Sequence, residues 1–102
     1  MKSIITAELE IAALGTGSTS MSPYISEAVK AIEMSGIKYQ LTPMGTVIEV
    51  SSIDEAFNVA RAAHEALIKK GAKRVVTHLT IDDRRDAPKD MEEKVESVIE
   101  KI

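Results

Sequence analysis

The sequence predicts an α+β fold, a ferredoxin-like sandwich of order βαββαβ with an extra C-terminal helix. Three observations carry this reading. Residues Ile5 to Ala13 alternate apolar and polar with a period of two. Two stretches of helical period are each closed by a glycine, Gly36 and Gly71. Between those helices lie two short alternating runs joined at Pro43-Met44-Gly45, the pattern of a hairpin.

In the first strand Ile5, Ala7, Leu9, Ile11 and Ala13 form the apolar set, with Thr6, Glu8 and Glu10 between them, so one face is buried. The run Gly15-Thr16-Gly17-Ser18-Thr19-Ser20 follows, and Ser22-Pro23 offers an N-cap and a proline at the first helical position. Ile25, Ala28, Val29 and Ile32 make that helix's stripe. Ile37, Tyr39 and Leu41 alternate with Lys38, Gln40 and Thr42 in the second strand, and Thr46 to Val50 returns as the third. Ser52 and Glu55 have capping-box spacing and open a long helix with the stripe Ile53, Ala56, Phe57, Ala60, Ala63 and Leu67. The last strand carries Val75, Thr77, Leu79 and Ile81 on one face and Val76, His78 and Thr80 on the other. Pro88 is placed to start a final helix whose apolar side is Met91, Val95, Val98, Ile99 and Ile102. Residues 1–102 are expected to form one domain, with 87–102 as a helical extension. In a split βαβ arrangement the helices cover one sheet face. The first strand's exit loop, the hairpin tip and the Gly71 turn then share one end of the sheet.

Hydrophobic residues make up 44% and charged residues 28% of the chain, a globular composition, and the formal charge of -3 gives no general attraction for nucleic acid or anionic lipid. With only three aromatics, a base-stacking platform is not expected either. The chain has no cysteine, which excludes disulfides and thiolate chemistry and suits a reducing cytoplasm. Glu8 interrupts the N-terminal apolar residues too early for a signal peptide, and no apolar run reaches membrane-spanning length. A cytoplasmic protein is expected.

The glycine and hydroxyl run precedes a helix and can present backbone N–H groups to an anion, but it has neither the Walker lysine nor dinucleotide spacing. Glu8 and Glu49 are carboxylates on strands beside polar turns, suited to an amine-bearing ring or a cation, or else solvated acids on an open sheet face. Tyr39 has core parity and could alternatively stack on an aromatic ligand, while Gln40 and Thr42 face away from the helices. His64 and His78 are far apart with no carboxylate at ligand spacing, so no metal site is expected. No base is identifiable for the clustered serines, so no catalytic residue is assigned. Asp82-Asp83-Arg84-Arg85-Asp86 balances its own charge as a strand exit. A sheet left bare on one side offers a binding floor or a surface for another subunit, so self-association to a dimer or tetramer is expected.

Several segments carry a resemblance: Ala7-Glu8-Leu9, Gly15-Thr16-Gly17, Ser20-Met21-Ser22-Pro23-Tyr24, Ser35 to Leu41, Pro43-Met44-Gly45-Thr46, Ile48-Glu49, Gly71 to Val75 and Asp82-Asp83-Arg84. Over Ala7 to Arg85 the chain resembles the thiamine-binding protein family, small ferredoxin-like proteins related to the bacterial thiamine/hydroxymethylpyrimidine-binding protein. It departs at Ala13-Leu14-Gly15, where a proline is expected before the Leu-Gly pair. The resemblance implies a homo-oligomer that binds thiamine or its pyrimidine, phosphorylated or not, without catalysis and without a cofactor. Its implied ligand residues are Glu8, Gly17, Ser20, Tyr39, Gln40, Met44, Thr46 and Glu49. The alternative is an oligomeric regulatory or scaffold domain that takes no thiamine.

Overall fold

The computed structural model describes residues 4–102. The elements are β1 (Ile5–Leu14), α1 (Ser22–Met34), β2 (Lys38–Leu41), β3 (Thr46–Val50), α2 (Ile53–Lys70), β4 (Arg74–Asp82) and α3 (Met91–Ile99). The strands form one antiparallel sheet in the order β2-β3-β1-β4, the split βαβ arrangement expected from the alternation and helix periods.

Register explains the core. Ala7 pairs with Ile48 on one side and Ile81 on the other, and Leu9 pairs with Thr46 and Leu79, so apolar sets from neighbouring strands share a face. That face packs on α1 through Ala28 and Ile32 and on α2 through Ala56, Val59, Ala60, Ala63 and Leu67. Small alanines dominate the α2 stripe, which lets the helix approach the sheet closely.

Capping follows chemistry at some ends and departs from expectation at others. Ser52 Oγ accepts from the Glu55 N–H at 3.1 Å, while Glu55 Oε1 accepts from the Ser51 N–H at 3.0 Å, one residue before the reciprocal partner of a full box. Acids occupy the first turn of α2 and lysines its last, complementing the helix dipole. Gly71, at φ 117°, closes it in a conformation that side chains resist. α1 includes Ser22 as a helical residue; Met21 is its cap and supplies no side-chain hydrogen bond. The stripe of α2 is rotated from the one anticipated: Val59 is buried, whereas Phe57 is 52% exposed and Ile53 also reaches solvent. These two flank the alanine line and have no layer above them.

The final helix begins three residues after Pro88. Asp90 is its N-cap in a complete capping box with Glu93, and this local satisfaction of the first N–H groups sets the start. α3 lies on the other face of the sheet, whose end row runs Lys38, Glu49, Thr6, Asp82 across the four strands. Glu49 Oε1 accepts from the Met91 N–H at 3.0 Å, Lys38 pairs with Glu92, and Lys94 Nζ lies 2.7 Å from Asp82 Oδ2. Only Met91 of this helix is buried; Val95, Val98, Ile99 and the following Ile102 are exposed. The Thr6 Oγ1 atom in the same row is buried with no hydrogen-bond partner among the described residues. Among the described residues no helix is long and apolar enough to cross a membrane.

The ammonium of Lys38, hydrogen-bonded to Glu92, holds the Glu92 carboxyl below its ordinary range, and the same bond raises Lys38. A carboxyl lowered in the folded state contributes fully above its unfolded pKa and loses that contribution as pH falls through the folded value. Amides of α3 are therefore expected to lose hydrogen-exchange protection on acidification below roughly pH 4, before those of α2, and Glu92→Gln should weaken the pH dependence of that loss.

Candidate functional site

The chemistry of the sheet's upper end comes from a mismatch in strand length. β3 pairs with β1 only from Ile5 to Leu9, whereas β4 accompanies β1 from Thr6 to Leu14. The upper half of β1 therefore has a strand neighbour on one side only. Into the vacated side come the β2-β3 tip and α1, which leave a cleft of about 130 Å³ between them. Its walls are Leu9 and Ile11 of β1, Ile25, Ala28 and Ile32 of α1, and the segment from Leu41 to Thr46.

The tip is shaped by Thr42. Its Oγ1 donates to Gly45 O at 2.8 Å and accepts from the N–H groups of Gly45 at 3.1 Å and Met44 at 3.3 Å, and its own N–H donates to Gly45 O at 2.8 Å. Thr42 is thus a turn residue that lines the cleft, not a strand residue turned away from the helices. Gly45 lies so close to β1 that a Cβ there would sit 2.8 Å from Leu9 O and 3.3 Å from Glu10 Cγ. Its requirement is space, since its φ is not positive. In the sequence this glycine is turn punctuation; the stacking of the tip on β1 is what leaves no room for a side chain.

The glycine and hydroxyl loop is self-contained. Thr16 Oγ1 donates to Ser18 O at 3.1 Å, and the Ser20 N–H donates to Ser18 Oγ at 3.1 Å, with Gly15 and Gly17 at positive φ. The loop feeds into α1, whose first turns carry Ile25 to the cleft.

The anticipated ligand residues fall into four groups. Met44 and the buried Thr46 line the cleft. Tyr39 is one register step below it on the helix-covered face, half-buried, with its hydroxyl donating to Glu33 Oε2 at 3.1 Å, a bond that raises the phenol pKa. Gly17 and Ser20 occupy the exposed loop before α1. Glu8, Gln40 and Glu49 lie on the opposite face of the sheet. Glu49 is engaged by the Met91 N–H and by Lys38, 3.8 Å away, so it serves to seat α3. Ile11, Ile25 and Thr42 were not anticipated as site residues; their signal was indirect, since Ile11 and Ile25 read as ordinary core positions. His64 Nδ1 lies 2.7 Å from Thr77 Oγ1 and ties α2 to β4.

A larger cleft, about 470 Å³, lies at the other end between the start of α2 and the β4 exit. Its arginines are compensated locally, Arg84 by Asp86 at 3.1 Å and Arg85 by Asp83 at 2.9 Å, and such exposed pairs contribute little. The smaller cleft combines apolar walls with an unpaired stretch of strand, the mixture that orients a small ring.

Replacing Gly45 with Ala is expected to cost ~1–3 kcal/mol of stability by forcing the tip off β1. Met44→Ala, at an exposed tip position, should leave stability within ~0.5 kcal/mol of the original. Urea denaturation of the two variants measures both.

Comparison with known proteins places this geometry among relatives. Residues 7–99 match a family described as thiamine-binding protein. A UPF0045 protein of Methanothermobacter thermautotrophicus is 48% identical over 99 residues, covering 97% of this chain and all of that one. The Bacillus subtilis UPF0045 protein YqgV is 44% identical, with 90% and 91% of the two chains covered. Among solved structures, a hypothetical protein of Methanocaldococcus jannaschii superposes with a TM-score of 0.86 at 32% identity, covering 98% of this chain and 99% of its own. A Thermotoga maritima chain, provisionally assigned to thiamine biosynthesis or salvage, has a TM-score of 0.76 at 24% identity over 93% and 98% of the two chains, a likeness of fold.

Proposed function

The chain belongs to the thiamine-binding protein family, and from that premise we propose that it binds thiamine or a related pyrimidine without transforming it, as a homo-oligomer in the cytoplasm. The observation that supports this reading is the cleft between β1, α1 and the hairpin tip, where an apolar slot meets unpaired strand backbone. An aminopyrimidine offers an amino donor beside a ring nitrogen acceptor. A strand without a neighbour offers C=O and N–H groups at similar spacing, so ring and backbone are complementary. Leu9, Ile11 and Ile25 supply flat apolar contact above and below such a ring.

The cleft's volume suits one substituted ring rather than a drug-sized ligand, so the second ring of thiamine would extend outward past Met44. Gly17 and Ser20, at the entry to α1, are then the groups nearest in sequence to any phosphate on that arm. Thr46 would contribute a hydroxyl from within the cleft and Tyr39 would back its lower wall. Glu8 and Gln40, across the sheet, would act on the ligand only at a distance or between subunits.

Titration calorimetry with thiamine and hydroxymethylpyrimidine is expected to give binding for both, with the pyrimidine retaining most of the affinity. Ile25→Trp, which fills the cleft's α1 wall, should weaken binding at least tenfold while leaving the melting temperature within a few degrees. Heat absent for both compounds would remove the thiamine reading. Full binding by Ile25→Trp together with loss in Glu8→Gln would move the site to the open face.

A further inference from the structure

The larger cleft, about 470 Å³, lies apart from the proposed thiamine site. It opens at the start of β1, where Ile5 is roughly 20 Å of strand away from Ile11 in the smaller cleft. Two segments form its walls. One is the β3-α2 junction, Ser51 to Asp54, held in shape by the hydrogen bonds between Ser51, Ser52 and Glu55. The other is the link from β4 to α3, which is fastened at both ends. Before the cleft Asp82 pairs with Thr6, and after it come the capping box at Asp90 and the bond from the Met91 N–H to Glu49. A ligand therefore meets a formed surface, of a volume within the roughly 300–1,000 Å³ common for small-molecule sites.

The lining divides into an apolar and a charged part. Ile4, Ile5, Ile53 and Pro88 are the apolar part, and Ile53 remains 39% exposed at the first turn of α2. Asp54, Asp83, Arg84 and Arg85 are the charged part. The two arginines are held differently. Arg85 donates from Nε and Nη2 to one oxygen, Asp83 Oδ2, at 3.0 and 2.9 Å, and the Asp83 side chain is only 22% exposed. Arg84 instead donates from Nε to Asp86 Oδ1 at 3.1 Å and from Nη2 to Asp86 Oδ2 at 3.4 Å, the two-point fork that a guanidinium makes with a carboxylate. Asp86 is 75% exposed and is not part of the cleft lining, so this partner is a solvated surface group that exchanges readily. Its bond to Arg84 keeps the Asp86 carboxyl below the ordinary range, which leaves it ionised at neutral pH.

We propose that this cleft is a second ligand site, for a small organic carboxylate with an apolar body. The ligand's carboxylate displaces Asp86 from the Arg84 fork, and its body covers Ile5, Ile53 and Pro88. Asp86 is then the resident stand-in for the ligand's charged group. Charge selects the class of anion. Asp54, whose carboxylate has no ion-pair or hydrogen-bond partner among the described residues, shares the cleft with Asp83, so negative charge is already present there. A monocarboxylate replaces the single charge of Asp86 with another single charge. A phosphate monoester, at about −1.5 to −2, brings a surplus that those acids repel. The apolar body is required as well, because a bare acid makes no contact that Asp86 lacks.

This inference needs neither thiamine nor self-association. Titration calorimetry with phenylacetate tests it, with phenylacetamide removing the charge, acetate removing the apolar body and phenyl phosphate exchanging the anion. Phenylacetate is expected to bind roughly tenfold more tightly than each of the other three. Asp86→Ala removes the competitor and should tighten phenylacetate about threefold, whereas Arg84→Gln should weaken it about tenfold. Both positions are exposed, so melting temperatures should stay within a few degrees, and any binding of hydroxymethylpyrimidine should be unchanged in both variants. No saturable heat from phenylacetate in the unaltered chain and in Asp86→Ala alike would overturn the site. Equal affinity in Arg84→Gln, or equal affinity for phenylacetamide, would overturn the role of Arg84. Tighter binding of phenyl phosphate than of phenylacetate would overturn the carboxylate.

Discussion

The structure depends on the length of β1. It is the central partner of the sheet, bound to β3 through its first half and to β4 through nearly all of it, and it outruns β3 by five residues. Main-chain groups on that free side need partners or solvent, and the side chains around them must be apolar to belong to the core. The hairpin tip is drawn against β1 at Leu9, so closely that Gly45 has no room for a Cβ, and α1 closes the third side. The cleft is the consequence of these three approaches; it was not built by any one motif.

The sheet's two faces carry separate tasks. The helix-covered face holds the core, with Leu9, Ile48, Ile32 and Leu67 shut off from solvent, and at its upper end the cleft. The other face is governed by charge: one row of Lys38, Glu49 and Asp82 anchors α3 by its start, leaving the remainder of that helix without a surface of its own. A helix that buries a single methionine gains little from the hydrophobic effect within one copy. Its apolar stripe, Val95, Val98 and Ile99, stays open to solvent.

Much of the architecture is legible in the sequence because alternation and helical period are local consequences of burial on one face. The strands, both glycine stops and the Ser52 cap follow from residues within a few positions of each other. What is not legible depends on the third dimension. Phe57 fits the α2 stripe by period, but the helix turns Val59 and the alanine line to the core and leaves Phe57 at the surface. Pro88 is a reasonable helix start, yet Asp90 and Glu93 satisfy the N-terminal donors better. Glu49 and Glu8 resemble ligand carboxylates in sequence, and strand parity sends both to the face away from the cleft. Thr42 and Ile11 enter the site through the turn's hydrogen bonds and the length of β1, neither of which a local pattern encodes.

In the proposed function the ligand ring occupies the cleft on the helix-covered side of β1. Amide chemical-shift mapping during titration with hydroxymethylpyrimidine tests it most directly. The largest shifts are expected at Leu9 to Ala13, Ile25 and Met44 to Thr46, with small shifts at Lys38, Gln40 and Glu49. Largest shifts at Glu8, Gln40 and Thr80, with the Ile25 and Gly45 signals unmoved, would contradict it.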